Sequence, residues 1–303
     1  MLRNKRILKT GALAAAMTVV FAIFAFRAAE WTKGLNSDFI VNGQQTGGTG
    51  GSTGGGGTVT KVVPQIAVGA YDDKTHYATI IEIINPNASA ITLSGNFYNE
   101  DGSPSGLIYA TNMPSQPQII GSFNNLSVAA NSILVISAGL SNATTPATGT
   151  SNWALVTGSN TITVATFFEL RRKGDEVLYS RVGVPASIST MTSFVIPRVR
   201  EKGSPDGDFE TGYALVNTGP VTANITATLI DVNGKTISTL KYSVPKNGHK
   251  VGITSSDFNF LTPEGNARQY QYLLFTSDQP AIGAAALAFQ GGSLTSFPVD
   301  VLK

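Results

Sequence analysis

The chain is predicted to be all-β: two tandem β-sandwich domains behind an N-terminal signal or anchor helix and a glycine-rich linker. Three observations predict this. The second half repeats the first, because Asn85, Ile91-Thr-Leu-Ser-Gly-Asn-Phe97 and Glu100-Asp-Gly102 recur 132 positions later as Asn217, Ala223-Asn-Ile-Thr-Ala-Thr-Leu229 and Val232-Asn-Gly234. A period this long belongs to a domain rather than to a solenoid unit. Within the second copy Ile225, Ala227 and Leu229 alternate with Asn224, Thr226 and Thr228, the period of a sheet buried on one face. Finally, 42% hydrophobic residues, only 13% charged residues and 32 glycines describe a folded, turn-rich chain with hydroxylated strand faces.

Residues 1–29 come first. Arg3, Lys5, Arg6 and Lys9 precede an uncharged run over 11–26. Sixteen helical residues span about 24 Å, short of the roughly 30 Å hydrocarbon core. The segment is therefore expected to be a signal peptide, or, if uncleaved, an N-terminal membrane anchor. Its basic flank keeps the N-terminus cytoplasmic and places the rest in the periplasm, on the surface or outside the cell. Residues 30–60 form a short stub and a flexible linker. The linker (43–58) has no apolar side chain to bury and a coil reach of roughly 22 Å. The stub carries Trp31, Leu35 and Phe39-Ile-Val41, which reads as a membrane-proximal stretch or as a strand that docks on a partner or a neighbouring copy.

The first module is expected over 61–185, with strands at 62–68, 77–84, 91–98, 118–123, 132–137, 153–156, 161–171 and 176–184. The second is expected over 193–302, with strands at 194–199, 212–216, 223–231, 235–244, 249–253, 270–275, 281–289 and 293–299. Asp101-Gly102, Asn233-Gly234 and Asn247-Gly248 supply residues suited to positive φ in tight hairpins. The copies differ by an insertion of sixteen residues around 103–118, which reads either as a plain surface loop or as the place where specificity resides.

The stretches Thr211-Gly-Tyr-Ala-Leu-Val-Asn217, Asp231-Val-Asn-Gly234, Val244-Pro-Lys-Asn-Gly-His249, Ser277-Asp-Gln-Pro280-Ala-Ile-Gly-Ala and Thr295-Ser-Phe-Pro298 resemble a repeat of bacterial exported and surface proteins. The resemblance covers 193–301, and the first module follows it in outline only. It implies immunoglobulin-like β-sandwiches and brings no catalytic residue with it.

Chemistry is sparse. With no cysteine, disulfides and thiolate sites are excluded. Gly50-Gly51-Ser52-Thr-Gly54 fits the nucleophile-elbow pattern but lies in the linker, where no strand precedes and no helix follows. The two histidines, His76 and His249, lack partners at metal-ligand spacing. Asp206, Asp208 and Glu210 place carboxylates at alternate positions, which reads as a solvated acidic turn or as a partial Ca²⁺ loop. No other cofactor is indicated.

Of the 21 basic residues, five (Arg3, Lys5, Arg6, Lys9, Arg27) lie in the leader, leaving 16 against 19 acidic ones. No basic stripe remains for nucleic acid. Arg171-Arg-Lys173 and Arg198-Val-Arg200-Glu-Lys202 read as edge protection or as contacts to an anionic surface.

The expected function is non-enzymatic: an exported cell-envelope or surface protein, structural or adhesive, presenting its modules to a protein or envelope glycan. Two alternatives remain open. One is a carbohydrate-binding or hydrolase accessory using the 103–118 loop, with Tyr98, Tyr109 and Trp153 as an exposed aromatic platform. The other is a surface fibre assembled through the N-terminal segment, with membrane contact there if it is uncleaved.

Overall fold

The computed structural model describes residues 57–140, 146, 148–187, 190–200, 210–258, 269–290 and 293–302, and alternating strands and turns make up nearly all of these described residues. The predicted leader 1–29 and the Phe39 strip lie outside these residues. Among the described residues no helix is long and apolar enough to cross a membrane.

Ten strands build the first half: β1 (Val59–Ala70), β2 (Thr75–Ile84), β3 (Ile91–Asn99), β4 (Ile108–Thr111), β5 (Gln118–Ile120), β6 (Ser122–Val128), β7 (Ile133–Ala138), β8 (Thr150–Gly158), β9 (Thr163–Arg172) and β10 (Leu178–Pro185). They form one antiparallel sheet in the order β1-β8-β3-β6-β5-β4-β7-β2-β9-β10, and a short β1–β2 pairing ties the first strand back to the eighth in that order. The sheet therefore wraps round its core. Inward residues of every strand from β1 to β9 meet there, among them Ile66, Ile81, Phe97, Tyr109, Phe123, Ile136 and Val156.

The second half holds β11 (Ser193–Arg200), β12 (Glu210–Asn217), β13 (Ala223–Asp231), β14 (Thr236–Val244), β15 (His249–Ile253), a one-turn helix α1 (Thr254–Asp257), β16 (Gln269–Ser277), β17 (Ile282–Gln290), β18 (Ser293–Phe297) and β19 (Asp300–Val301). Two sheets face each other, β14-β13-β16-β11-β19 and β15-β12-β17-β18. Phe194, Ile225, Leu229, Leu273 and Phe275 of the first pack on Tyr213, Leu215, Ile282 and Ala284 of the second. This is the layered solution for sheets that are apolar on one face.

The sequence repeat is a repeat of topology. β1, β2, β3, β6, β7, β8, β9 and β10 pair among themselves as β11 to β18 do, apart from the short β1–β2 pairing, which has no counterpart among the described residues of the second half. Register is kept as well: Leu93 faces Gly158 as Ile225 faces Ser277, and Tyr98 faces Trp153 as Ile230 faces Tyr272. Each copy buries one asparagine for the same purpose. Asn85 Nδ2 donates to the carbonyls of Ser89, Val128 and Ala129, and Asn217 Nδ2 to those of Val221, Val244 and Pro245. A buried carbonyl without a donor is costly, and this one side chain satisfies a whole chain crossing.

Strand order refines the expected sandwich. β12 neighbours β15, and β13 neighbours β16, as the second and fifth and the third and sixth strands do in an immunoglobulin domain. The flanking strands are exchanged, because β17 joins β12 and β11 joins β16. Asn233-Gly234 closes a hairpin between the paired strands β13 and β14. Asn247-Gly248 instead carries the chain from one sheet to the other, and Asp101-Gly102 closes a tight turn in which Ser103 to Ser105 bond back to the end of β3, through a single Tyr98–Pro104 bridge, before the chain reaches β4. The predicted strand 118–123 is broken at Gly121, where φ is +64°.

The insertion is no idle loop. It supplies β4 and β5, which bridge β7 to β6 and close one side of the wrapped sheet. In the second copy α1 lies on the corresponding side: Phe258 fills the core, and Asp257 bonds the Tyr213 hydroxyl, itself 2.5 Å from that of Tyr242 on β14.

Candidate functional site: the seam between the two sandwiches

β12 and β17 explain why the halves do not hang as separate beads. β12 is buried over 211–217 and β17 over 282–286, and both carry small residues on the face turned from their own core, with Ala214 and Val216 on β12 and Gly283 and Ala285 on β17. That face needs a cover, and the first half provides it. Phe168, Val182 and Val184 on the β9–β10 flange pack with Ala67 against Ala285, Leu287 and Leu294. Nearby, Val62 and Trp153 close on Val216, flanked by Tyr98 and Leu155. The one-sided burial read from the alternation at 224–229 therefore does not extend to the sheet of β12 and β17.

Polar groups fix the register of the seam. Trp153, 0% exposed, donates its indole N–H to the Asn247 carbonyl at 2.9 Å. The His249 amide donates to the Glu100 carbonyl at 2.9 Å. Gly102, at φ +85°, lies so close to the Lys246 carbonyl that a Cβ would overlap it, so the Asp101-Gly102 turn needs glycine twice over. Val62 and Ser187 exchange main-chain bonds at 3.2 and 2.8 Å, and Ser187 Oγ accepts from the Ala284 amide at 3.1 Å.

Electrostatics at the seam follow from burial. His249 is pushed down to about 3 by desolvation, with Lys250 adding repulsion, so its imidazole is neutral. Its Nδ1 lies 3.4 Å from Ser151 Oγ, which in turn donates to Gln65 Oε1 at 3.1 Å. Desolvation also raises the Glu100 carboxyl, a shift that nearby Lys250 opposes.

The predicted site residues are dispersed. Tyr109 is 0% exposed, stacks on Phe97 at 4.1 Å and bonds Ser105 Oγ at 2.9 Å. Burial pushes its hydroxyl up to about 12. Trp153 stacks on Tyr98 at 4.7 Å but is sealed in the seam. A glycan platform needs open ring faces, so the Tyr98–Tyr109–Trp153 platform is corrected: two of its rings are packing residues. Asp206 and Asp208 lie outside the described residues. Glu210 Oε1 is engaged by Thr254 Oγ1 and by the Ser255 amide at 3.1 Å. Among the described residues no three His, Cys, Asp or Glu side chains gather.

The basic run 171–173 is paired internally. Arg171 Nε meets buried Glu169 at 2.6 Å, Arg172 pairs with Asp175, and Lys173 Nζ donates to the Asp72 carbonyl at 2.6 Å. His76 Nε2 is 3.3 Å from Glu176. Arg198 is buried in the second core and bonds Gln271.

No protein-family model matches the chain, and no curated protein matches it either. Among solved structures, the coconut allergen cocosin aligns over 73% of this chain and 86% of its own, at 10% identity and a TM-score of 0.15. At that score the likeness carries no argument.

Proposed function

We propose that the chain is a non-enzymatic, exported cell-envelope or surface protein whose two immunoglobulin-like modules act as one stiff structural or adhesive unit. The observation that carries this reading is the seam. A full tryptophan, two apolar clusters and main-chain bonds are committed to holding one sandwich on the other. Such an arrangement suits a spacer or presenter that must keep its shape. A carbohydrate role through 103–118 draws no support from Tyr109, which serves the core.

Expression of the full chain in a bacterium, with N-terminal sequencing and protease added outside the cytoplasmic membrane, tests the location. The expected result is a protected leader or a cleaved one, with the sandwiches accessible outside. A cytoplasmic product would overturn the reading, as would substrate turnover by the purified chain that one side-chain change abolishes.

A further inference from the structure

The seam has a counterpart that is only partly covered among the described residues. Conserved register makes the outer face of β11, β13 and β16 equivalent to the face of β1, β3 and β8 that docks on the second sandwich. Tyr272 stands where Trp153 stands, Ile230 where Tyr98 stands, and Leu274, Val195 and Pro197 where Leu155, Val62 and Pro64 stand. All five positions are apolar or aromatic in both copies. In the first copy Trp153 and Val62 are sealed, whereas Tyr272 is 37% exposed and its strand neighbour Tyr270 55%; Ile230 is already buried within its own chain, and Leu274 and Val195 are half-buried. The outward positions described on β13, β16 and β11 include no ionised side chain: Asn224, Thr226, Thr228 and Ile230, then Tyr270, Tyr272, Leu274 and Thr276, then Ser193, Val195 and Pro197. Lys241 on β14, opposite Thr226, and Asp300 on β19, opposite Val195, flank this uncharged strip at its two edges.

The surface that receives Trp153 also has a counterpart. Asn247, Val216 and His249 correspond to Asn131, Ile84 and Ile133 of the first sandwich. Asn131 and Asn247 share the left-handed backbone, with φ of 53° and 54°, so the two turns present their carbonyls alike. Ile133, in the place of His249, is 44% exposed. The ion-paired Glu169 and Arg171 on β9 and Arg181 on β10, with Glu82 of β2 where Ala214 stands in the seam, confine such a contact to the end of β2 and β7 around Ile84 and Ile133.

We propose that the second sandwich of one molecule docks through Tyr272, Leu274 and Val195 onto Asn131, Ile84 and Ile133 of the first sandwich of a second copy, repeating the intramolecular seam between molecules. Donor and acceptor faces differ and sit on opposite halves, so the contact is head-to-tail and adds copies in a row rather than closing a pair. This deepens the structural role proposed above and rests on it.

The test uses the full chain with two single variants, Tyr272→Arg on the donor face and Ile133→Arg on the acceptor face. Sedimentation velocity of the wild-type chain is expected to show a concentration-dependent ladder of species. Each variant alone stays monomeric, while a mixture of the two forms a one-to-one complex and stops, because one intact donor and one intact acceptor remain. Circular dichroism and thermal unfolding, unchanged in both variants, separate loss of contact from loss of fold. A wild-type chain that is monomeric throughout overturns the proposal, as does a ladder indifferent to both substitutions. Binding of neutral cellohexaose or chitohexaose at Tyr272 by a monomeric chain would also overturn it, by assigning the face to glycan. None of these outcomes alters the export and turnover assays, so the broader reading stands or falls separately.

Discussion

The indole N–H of Trp153, in the first sandwich, donates to the main-chain carbonyl of Asn247, in the second, across 2.9 Å. Trp153 is also the larger partner in the Val62–Val216 contact, so one residue supplies both area and direction to the seam. Trp153→Phe keeps most of the area but leaves the Asn247 carbonyl without its donor, at an expected cost of about 1–3 kcal/mol. Trp153→Ala removes both and is expected to cost about 3–5 kcal/mol. Guanidinium unfolding of the full chain reads these values. Equal stability of all three proteins would remove Trp153 from the seam's energetics.

Asn85 and Asn217 make a second, paired prediction. Each directs its amide nitrogen at three carbonyls at a chain crossing. Alanine at either position strands those acceptors in a buried place, with an expected loss of about 2–3 kcal/mol. Asp is expected to be worse at neutral pH, since it presents a negative oxygen to carbonyl oxygens. Urea midpoints for Asn85→Ala, Asn217→Ala and the two Asp variants decide it. If one site proves neutral, the two are not equivalent devices.

Much of this fold is legible in the residues. Period two in Ala223–Asp231 and the turn before His249 mark β13 and β15 at their observed ends. The seam was not read, although a signal was present. Gly212-Tyr-Ala-Leu-Val216 and Ile282-Gly-Ala-Ala-Ala-Leu-Ala288 run without alternation, and an unbroken apolar strand is one buried on both faces. Alanine and glycine there mark close approach by a neighbour. Tyr109 and Trp153 misled for a related reason: an aromatic side chain in a strand fits a core, a platform or a seam equally well until its cross-strand partner is known. Phe97 and Asn247 settle those two cases. The Ca²⁺ reading of Asp206, Asp208 and Glu210 remains attached to residues of which only Glu210 is described.

Separating the sandwiches tests the shared clusters. Without the second half, Phe168, Val182, Val184, Val62 and Trp153 would face water. A contiguous apolar patch of that kind promotes association. A fragment ending near residue 190 is therefore expected to bind a hydrophobic dye and aggregate, and the full chain to unfold in one calorimetric transition. Ala285→Glu, which places a carboxylate against Phe168 and Val184, should split that transition in two. A single unchanged transition in this variant would show that the seam does not couple the halves.

The pH dependence follows from His249. In the folded chain its ring is held down near 3 by burial, with Lys250 adding repulsion, while an exposed histidine titrates near 6.5. Above pH 6.5 the ring is neutral in both states and its contribution is fully present. As pH falls below that value the unfolded chain takes up a proton that the folded chain refuses. Stability then declines by up to about 1.4 kcal/mol per pH unit until the folded ring titrates. Glu100 acts in the opposite sense. Its raised carboxyl binds a proton in the folded state first, which softens the loss near and just above pH 4.5. Between pH 7.5 and 5 the full chain is expected to lose about 2 kcal/mol through His249. His249→Gln should abolish that portion while preserving the amide bond to Glu100. Denaturant midpoints at the two pH values read the difference, and parallel pH dependence in the two proteins would place the titrating group elsewhere.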